Sequence, residues 1–287
     1  MSLAAQRLVP AVFVVLWSTG FIGTKYALTG ASPLTMQTVR MAIVVIGLGL
    51  IAALARPRWP SGIEILHCIV AGLLVHGFYL GGTAVAIDHS VPAGLSALIP
   101  GLQPVLTSTL ANRWLGERVT PRQWGGLLLG LIGVLMVLHN RPMSGQAGLG
   151  WLASGVALIS ITLGTLYQKR FCSRIDWRSG NFVQFVAVGA FFAIGTWLFE
   201  TRPIAWTPTF ILSVTWLAVV LSIGSIALLY WLIRSAAATR VASLFYLVPA
   251  VTALMAYLLF DERLDAIAIT GMIVCAAGVV LVNRPET

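Results

Sequence analysis

Apolar residues in this chain do not alternate with polar ones in the rhythm of a strand or of a surface helix. They come in runs of about twenty, separated by short clusters rich in Pro, Gly and Arg. A helix that crosses a bilayer needs about 20 predominantly apolar residues. The punctuation divides the sequence into ten such runs, near residues 8–28, 34–55, 62–87, 91–112, 121–139, 148–170, 179–200, 208–233, 239–260 and 265–283. The connections between them are too short for a globular domain. The pattern therefore predicts an all-α integral membrane protein with ten transmembrane helices, whose chemistry lies inside the bundle or at its faces. The first run, from Val9 to Leu28, lacks a small-residue cleavage site and is long enough to span, which predicts a retained helix and not a signal peptide.

Composition points the same way. Of 287 residues, 58% are apolar and 9% charged, against about 25% charged in a soluble domain. The net charge of +9 would suggest nucleic acid in a soluble chain, but here the basic residues cluster between apolar runs, so they read as topology signals and no nucleic-acid partner is expected. With Arg40 set aside inside a helix, 13 Lys and Arg fall on the side of the N-terminus. Only four, Lys25, Arg141, Arg202 and Arg263, fall on the other. That bias predicts cytoplasmic N- and C-termini. The three cysteines, Cys68, Cys172 and Cys275, are odd in number and widely spaced, which gives neither a disulfide framework nor a metal spacing. No cofactor is expected.

The chain also repeats itself. At a constant offset of 145, Pro104/Pro249, Thr107/Thr252, Ala111/Ala256, Glu117/Glu262, Arg118/Arg263, Gly126/Gly271, Gly133/Gly278, Val134/Val279 and Val137/Val282 are identical without a gap. Lys25/Arg170 extends the offset conservatively to the first helix of each half. Residues 1–142 and 146–287 are thus predicted to be two copies of a five-helix unit. Because five is odd, the second copy crosses the membrane in the opposite sense. Inverted repeats of this kind characterise transporters, with the substrate in a central cavity near the midplane. A static bundle would gain nothing from two near-equivalent arrangements.

Buried polar groups are costly in a bilayer and therefore informative. The nine carboxylates all fall at predicted helix ends or in loops, which argues against a proton relay built on Asp or Glu. On the third helix Gly72, His76, Tyr79 and Thr83 recur at helical spacing and share a face, and His76 is the candidate to titrate near the midplane. Pro100 and Pro104 interrupt the fourth helix and Pro249 the ninth, each removing a backbone donor; such breaks are tolerated beside protein or a watery cavity. Gln103 adjoins one of them. Ser243 and Tyr246 follow one face of the ninth helix. Trp17 lies well inside the first helix and so away from the interfacial belt, while Tyr167 and Tyr230 are further aromatic candidates on the sixth and eighth. The competing reading for every one of these residues is packing between helices. Gly77-xxx-Gly81 and Gly126-xxx-Gly130 read as close helix contacts first, and Lys25 and Arg170 as snorkelling cations.

Leu16-Trp17-Ser18-Thr19-Gly20-Phe21 followed by Lys25, the Pro104–Glu117 spacing repeated as Pro249–Glu262, and the paired Gly126/Gly271 and Gly133/Gly278 resemble the drug/metabolite transporter superfamily in its EamA branch. Within it the chain is similar to the aromatic amino acid exporters of the YddG type. The resemblance covers nearly the whole chain and implies a secondary transporter. The expected function is export of small metabolites, foremost aromatic or other neutral amino acids, by alternating access from a monomer in the lipid bilayer. Trp17, Tyr79 and Tyr246 would contact the apolar body of the substrate, and Gln103, His76 and Ser243 its polar end. An exporter or exchanger of a drug-like cation or a sugar phosphate is the alternative within the class, although a sugar phosphate would want several inward Lys or Arg and Arg40 is the one clear mid-chain candidate. A channel-like facilitator is the alternative outside it. An enzyme is not expected: the four histidines are scattered, and neither HExxH nor GxSxG occurs.

Overall fold

The computed structural model describes residues 3–89, 91, 96, 98–116, 118–139, 148–235, 237–260 and 265–284. Among them the chain is helical, with no strand. The helices are α1 (Leu3–Ala27), α2 (Pro33–Ala55), α3 (Ile63–Asp88), α4 (Leu98–Leu115), α5 (Pro121–Leu138), α6 (Gly148–Cys172), α7 (Trp177–Phe199), α8 (Pro208–Arg234), α9 (Ala238–Leu259) and α10 (Ala266–Asn283). Eight of them are long and apolar enough to cross a membrane. The other two are α5, apolar but shorter, and α4, where Gln103, Thr107, Ser108, Thr109 and Arg113 dilute the apolar run.

Local chemistry sets the helix starts. Pro33, Pro121 and Pro208 occupy the first turn of α2, α5 and α8, where a missing N–H costs nothing and the fixed φ suits the helix. Thr120 and Gln123 form a reciprocal capping box at α5, and Asp176, Thr207 and Asp265 cap α7, α8 and α10. The start of α2 is capped from outside itself. Glu200, at the end of α7, accepts the backbone N–H of Leu34 at 2.9 Å and of Thr35 at 2.7 Å, and also the Thr35 hydroxyl at 2.7 Å. An anion placed on those orphan donors also complements the helix dipole.

The helices form two compact units, each drawing on both halves of the sequence: residues 1–22, 92–143 and 235–287 make the first, and 23–91 and 144–234 the second. In the first unit α5 crosses α10 with backbone against backbone. A Cβ on Gly126 would sit 2.8 Å from the Gly278 carbonyl oxygen, and one on Gly278 2.7 Å from that of Gly126. Gly133 and Gly271 oppose each other in the same way at 2.7 Å in both directions. Only glycine permits that approach. Gly271 and Gly278 are the residues 145 positions after Gly126 and Gly133, so the crossing is reciprocal and antiparallel.

In the second unit an apolar cluster around Met36, Ala84, Phe210, Val214 and Leu217 packs α2, α3 and α8 together. Where α3 meets α7, Gly72 lies so close that a Cβ there would stand 2.9 Å from the Cα of Gln184. Three π-helical stretches interrupt the α-helices, Leu73–Phe78 in α3, Gln168–Cys172 in α6 and Leu217–Ser225 in α8. Shifted by 145, the first falls within the third. Each adds a residue to a turn, turns the following side chains to a new face and loosens the backbone ladder.

Candidate functional site

The run Pro33–Ala55 that forms α2 carries one charge, Arg40, and the second unit buries it: 4% of its surface is exposed. Arg40 Nε donates to Ser222 Oγ at 2.9 Å. Among the described residues no carboxylate pairs with it. Ser222 belongs to the π-helical stretch of α8. One turn before Arg40, Gln37 donates Nε2 to the Leu80 carbonyl at 3.0 Å, while its Oε1 is buried without a partner.

Two residues expected from the sequence stand by this cation. Tyr79 and His76, both buried, lie within electrostatic reach of the guanidinium. His76 stacks on Phe185 with centroids 4.4 Å apart and planes 16° from parallel. Its ring and the adjoining Gln184 side chain, both buried, lie within hydrogen-bonding reach of each other and meet no other polar partner among the described residues. The Gly72 contact brings α3 against α7 at Gln184, and the π turn 73–78 holds His76 one turn further on, over Phe185. Gly72, His76, Tyr79 and Thr83 remain buried together despite the added residue. Buried polar atoms nearly always find partners, so this concentration of unmet donors and acceptors around a cation is suited to receive a polar ligand.

The other candidates lie elsewhere. Tyr167, in the second unit too, bonds His67 Nδ1 through its hydroxyl at 2.8 Å, and Phe171 stacks on the same His67 ring; this cluster occupies the end of α6. Tyr230 lies on α8, with its side chain outside the described residues. In the first unit Trp17 is buried against Phe13 and Phe245, at centroid distances of 5.1 and 5.3 Å. Tyr246 is fully buried, its ring seated on Gly130 and its hydroxyl without a partner. Ser243 is occupied by helix packing: its hydroxyl donates to the Arg240 carbonyl at 2.8 Å and accepts from Asn283 Nδ2 at 2.9 Å. Gln103 is buried on α4.

The prolines behave differently from one another. α4 stays α-helical through Pro104, whereas the turn before Pro249, Leu244–Tyr246, tightens to a 3-10 helix. Without an N–H at Pro249 the Phe245 carbonyl loses its α-helical partner, and Leu247 N donates instead to Leu244 and Phe245. Pro100 lies in α4, with its ring outside the described residues.

Electrostatics at the membrane ends are simple. The described carboxylates Glu64, Asp88, Asp176, Glu200 and Asp265 sit at helix ends; Glu117, Asp261, Glu262 and Glu286 lie outside the described residues. Arg178 bonds Asp176 through its side chain and holds that carboxyl below its ordinary range. Among the described residues no three His, Cys, Asp or Glu side chains gather as a metal site would require.

Reading the sequence alone passed over Gln37, Gln184, Phe185 and Ser222, and set Arg40 aside as a topology exception. A signal was available. An ionisable residue in the middle of an apolar run marks a functional position by default, and the offset of 145 carries Arg40 onto Phe185 and Gly77 onto Ser222. The two contacts Arg40–Ser222 and Phe185–His76 therefore join equivalent stretches of the two halves, one filled by a cation and the other by stacked rings.

Comparison with known proteins places this arrangement. The model of the EamA-like transporter family matches residues 8–139 and again 148–284. The chain is 28% identical over 284 residues to the uncharacterized transporter YvbV of Bacillus subtilis (strain 168), covering 95% of this chain and 90% of that one. It is 27% identical over 276 residues to a probable amino-acid metabolite efflux pump of Escherichia coli (strain K12), covering 92% and 90%. It is 26% identical over 287 residues to a probable terminal-alkyne amino-acid exporter of Streptantibioticus cattleyicolor, covering 94% and 91%. A solved crystal structure superposes with a TM-score of 0.77 over 98% of this chain and 97% of its own, at 22% identity, which shows a shared fold. Eight membrane-length helices and a family model matched over most of the length leave one assignment: this is a multi-pass membrane protein that belongs to the EamA-like transporter family.

Proposed function

We propose that this protein is a secondary transporter of the inner membrane that exports small metabolites, foremost aromatic or other neutral amino acids, by alternating access. The reading is carried by the reciprocal crossing of Gly126 with Gly278 and of Gly133 with Gly271. A contact in which residue i meets j while the counterpart of i meets the counterpart of j is the signature of a two-fold relation. Between two halves of one chain it supports inverted copies, the plan on which transporters build two exchangeable states. On this reading residues 1–142 and 146–287 are the repeats, α4 and α5 also span, both termini are cytoplasmic and the monomer is the transporting unit. The relatives named for amino-acid efflux and export support the cargo. His76 and Tyr79 engage the substrate from the second unit. With the described acids all at helix ends, export is coupled through His76 or is not proton-linked.

Reconstitution of the purified protein into liposomes tests this, with labelled tryptophan, phenylalanine, threonine and a sugar phosphate compared with and without a pH gradient. Saturable amino-acid flux is expected. Flux that rises without saturating would mean a channel, and no amino-acid flux would overturn the reading.

A further inference from the structure

The geometry points to Arg40 as the residue that binds the carboxylate of the transported molecule, with Ser222 orienting it and the His76–Phe185 stack beside it for the rest of the ligand. This deepens the transport reading above and rests on it for the cargo, though not for the anion chemistry. A guanidinium withdrawn from water to 4% exposure and bonded through Nε to one hydroxyl has no structural reason to be charged. An isolated buried ion costs several kcal/mol even after relaxation. A structural arginine in lipid snorkels or pairs with an acid. Arg40 does neither among the described residues: its side chain is buried inside the unit instead of reaching a helix end, and no described carboxylate reaches it.

The bond that Arg40 does make is the orienting kind. With Nε on Ser222, the terminal Nη edge keeps two donors in a fixed fork, the arrangement that meets a carboxylate with two parallel hydrogen bonds. Near it lie the buried His76–Gln184 pair, whose remaining polar atoms meet no other side chain, and the unpartnered Oε1 of Gln37. These atoms can accept from, or donate to, a second polar group on the same ligand. The equivalent position in the other half is Phe185, so the duplicated frame is charged at one place and aromatic at its counterpart. A small molecule with a carboxylate at one end and an apolar body at the other fits that asymmetry. A sugar phosphate, which needs several cations, does not.

Competition and binding experiments separate the carboxylate inference from the transport reading. In proteoliposomes, indole-3-propionate, which keeps the carboxylate without the ammonium, is expected to inhibit labelled tryptophan uptake at least tenfold more potently than tryptamine, which keeps the ammonium alone. In Arg40→Gln the acid is expected to lose at least tenfold in potency while tryptamine is unchanged. The same panel plus inorganic phosphate, scored by thermal stabilisation of the detergent-purified protein, reads binding without transport. If no amino acid is carried yet indole-3-propionate stabilises the wild type and not Arg40→Gln, the amino-acid reading falls and the Arg40 site stands. If amino acids are carried and Arg40→Gln leaves the acid-to-amine ratio as it was, or if phosphate protects better than every carboxylate, the Arg40 inference is overturned. Should Arg40→Gln not fold, Arg40→Lys, which keeps the charge and loses the fork, is expected to weaken the acid at least fivefold relative to the amine, and an unchanged ratio overturns the inference equally.

Discussion

The Cys275 thiol donates to the carbonyl oxygen of Gly130 at 3.6 Å, and the two residues are counterparts, 145 positions apart. On the proposed inverted-repeat reading, a residue that touches its own counterpart lies where the two copies would meet on their shared axis. On either side of this contact the glycines pair crosswise, Gly126 with Gly278 and Gly133 with Gly271. The glycines repeated in the sequence are therefore repeated for one physical reason: each removes the Cβ that would strike the carbonyl of the opposing helix.

That reason predicts opposite signs for two substitutions in one helix. At exposed Gly125 a Cβ would find its nearest neighbour, Leu281, at 4.0 Å, whereas at Gly133 it would stand 2.6 Å from Cys275 N and 2.7 Å from the Gly271 oxygen. Gly125→Ala is expected to stabilise by up to about 1 kcal/mol through helix propensity. Gly133→Ala is expected to destabilise by about 1–3 kcal/mol, because backbone atoms cannot yield as a side chain can. Melting of both variants in detergent decides it, and equal shifts would mean that the crossing does not depend on the missing Cβ.

Much of this architecture was legible because lipid enforces it. Runs of twenty apolar residues have one solution in a bilayer, and the predicted run 34–55 is α2 to within a residue. Of the run expected near 91–112, the described residues are helical at Ser96 and from Leu98 to Leu115, three residues past the expected end because the polar Thr107–Arg113 stretch is nonetheless helical. The site was harder to read. Helical spacing put His76 and Tyr79 on one face, yet neither the π turn at 73–78 nor the contacts with Gln184 and Phe185 on α7 are encoded in any local pattern. Ser243 looked like a ligand group and is consumed by Asn283, since a hydroxyl on a helix face reads the same whether it meets a substrate or another helix. Arg40 was visible throughout, and setting it aside as an exception to the topology count hid what its depth in the run implied.

Glu200 should matter to folding well away from any substrate. It supplies the cap that Ser32, in the N-cap position of α2, does not provide with its own side chain. Glu200→Ala is expected to lower stability by about 1–2 kcal/mol, the range for loss of a cap with its charge–dipole interaction. Glu200→Gln, which keeps one acceptor, is expected to lose less. Binding affinity for the substrate should be the same in all three proteins, and a changed affinity would assign Glu200 a role beyond the cap.

Asp176 gives a pH dependence of known sign. The Arg178 side chain holds its carboxyl below the ordinary value of 3.8, so the folded state binds the proton more weakly than the unfolded one. The stabilisation is complete above the unfolded pKa and is lost as the pH falls through the folded one. Asp176→Asn keeps the capping oxygen and removes the ion pair. It is expected to melt slightly below the wild type at pH 7, and the gap should close on acidification below about pH 4. A gap that widens in acid would reverse the sign and refute the assignment.

Tyr246 and Ser243 sit three residues apart on α9 and should answer substitution in opposite ways. The Tyr246 hydroxyl is buried without a partner, so Tyr246→Phe removes a polar atom whose desolvation nothing offsets. Its ring, which packs on Gly130, is kept. Melting is expected to stay level or rise, and transport to stay within twofold if the ring alone serves the substrate. Ser243 donates to Arg240 and accepts from Asn283, so Ser243→Ala strands the Asn283 amide. A cost of about 1 kcal/mol is expected, with the half-saturating substrate concentration unchanged because the donor and one lone pair of the hydroxyl already serve the helices. If Ser243→Ala instead weakens substrate binding while melting as the wild type does, its hydrogen bonds to the helices must open during the cycle, and Ser243 returns to the site from which its packing removes it.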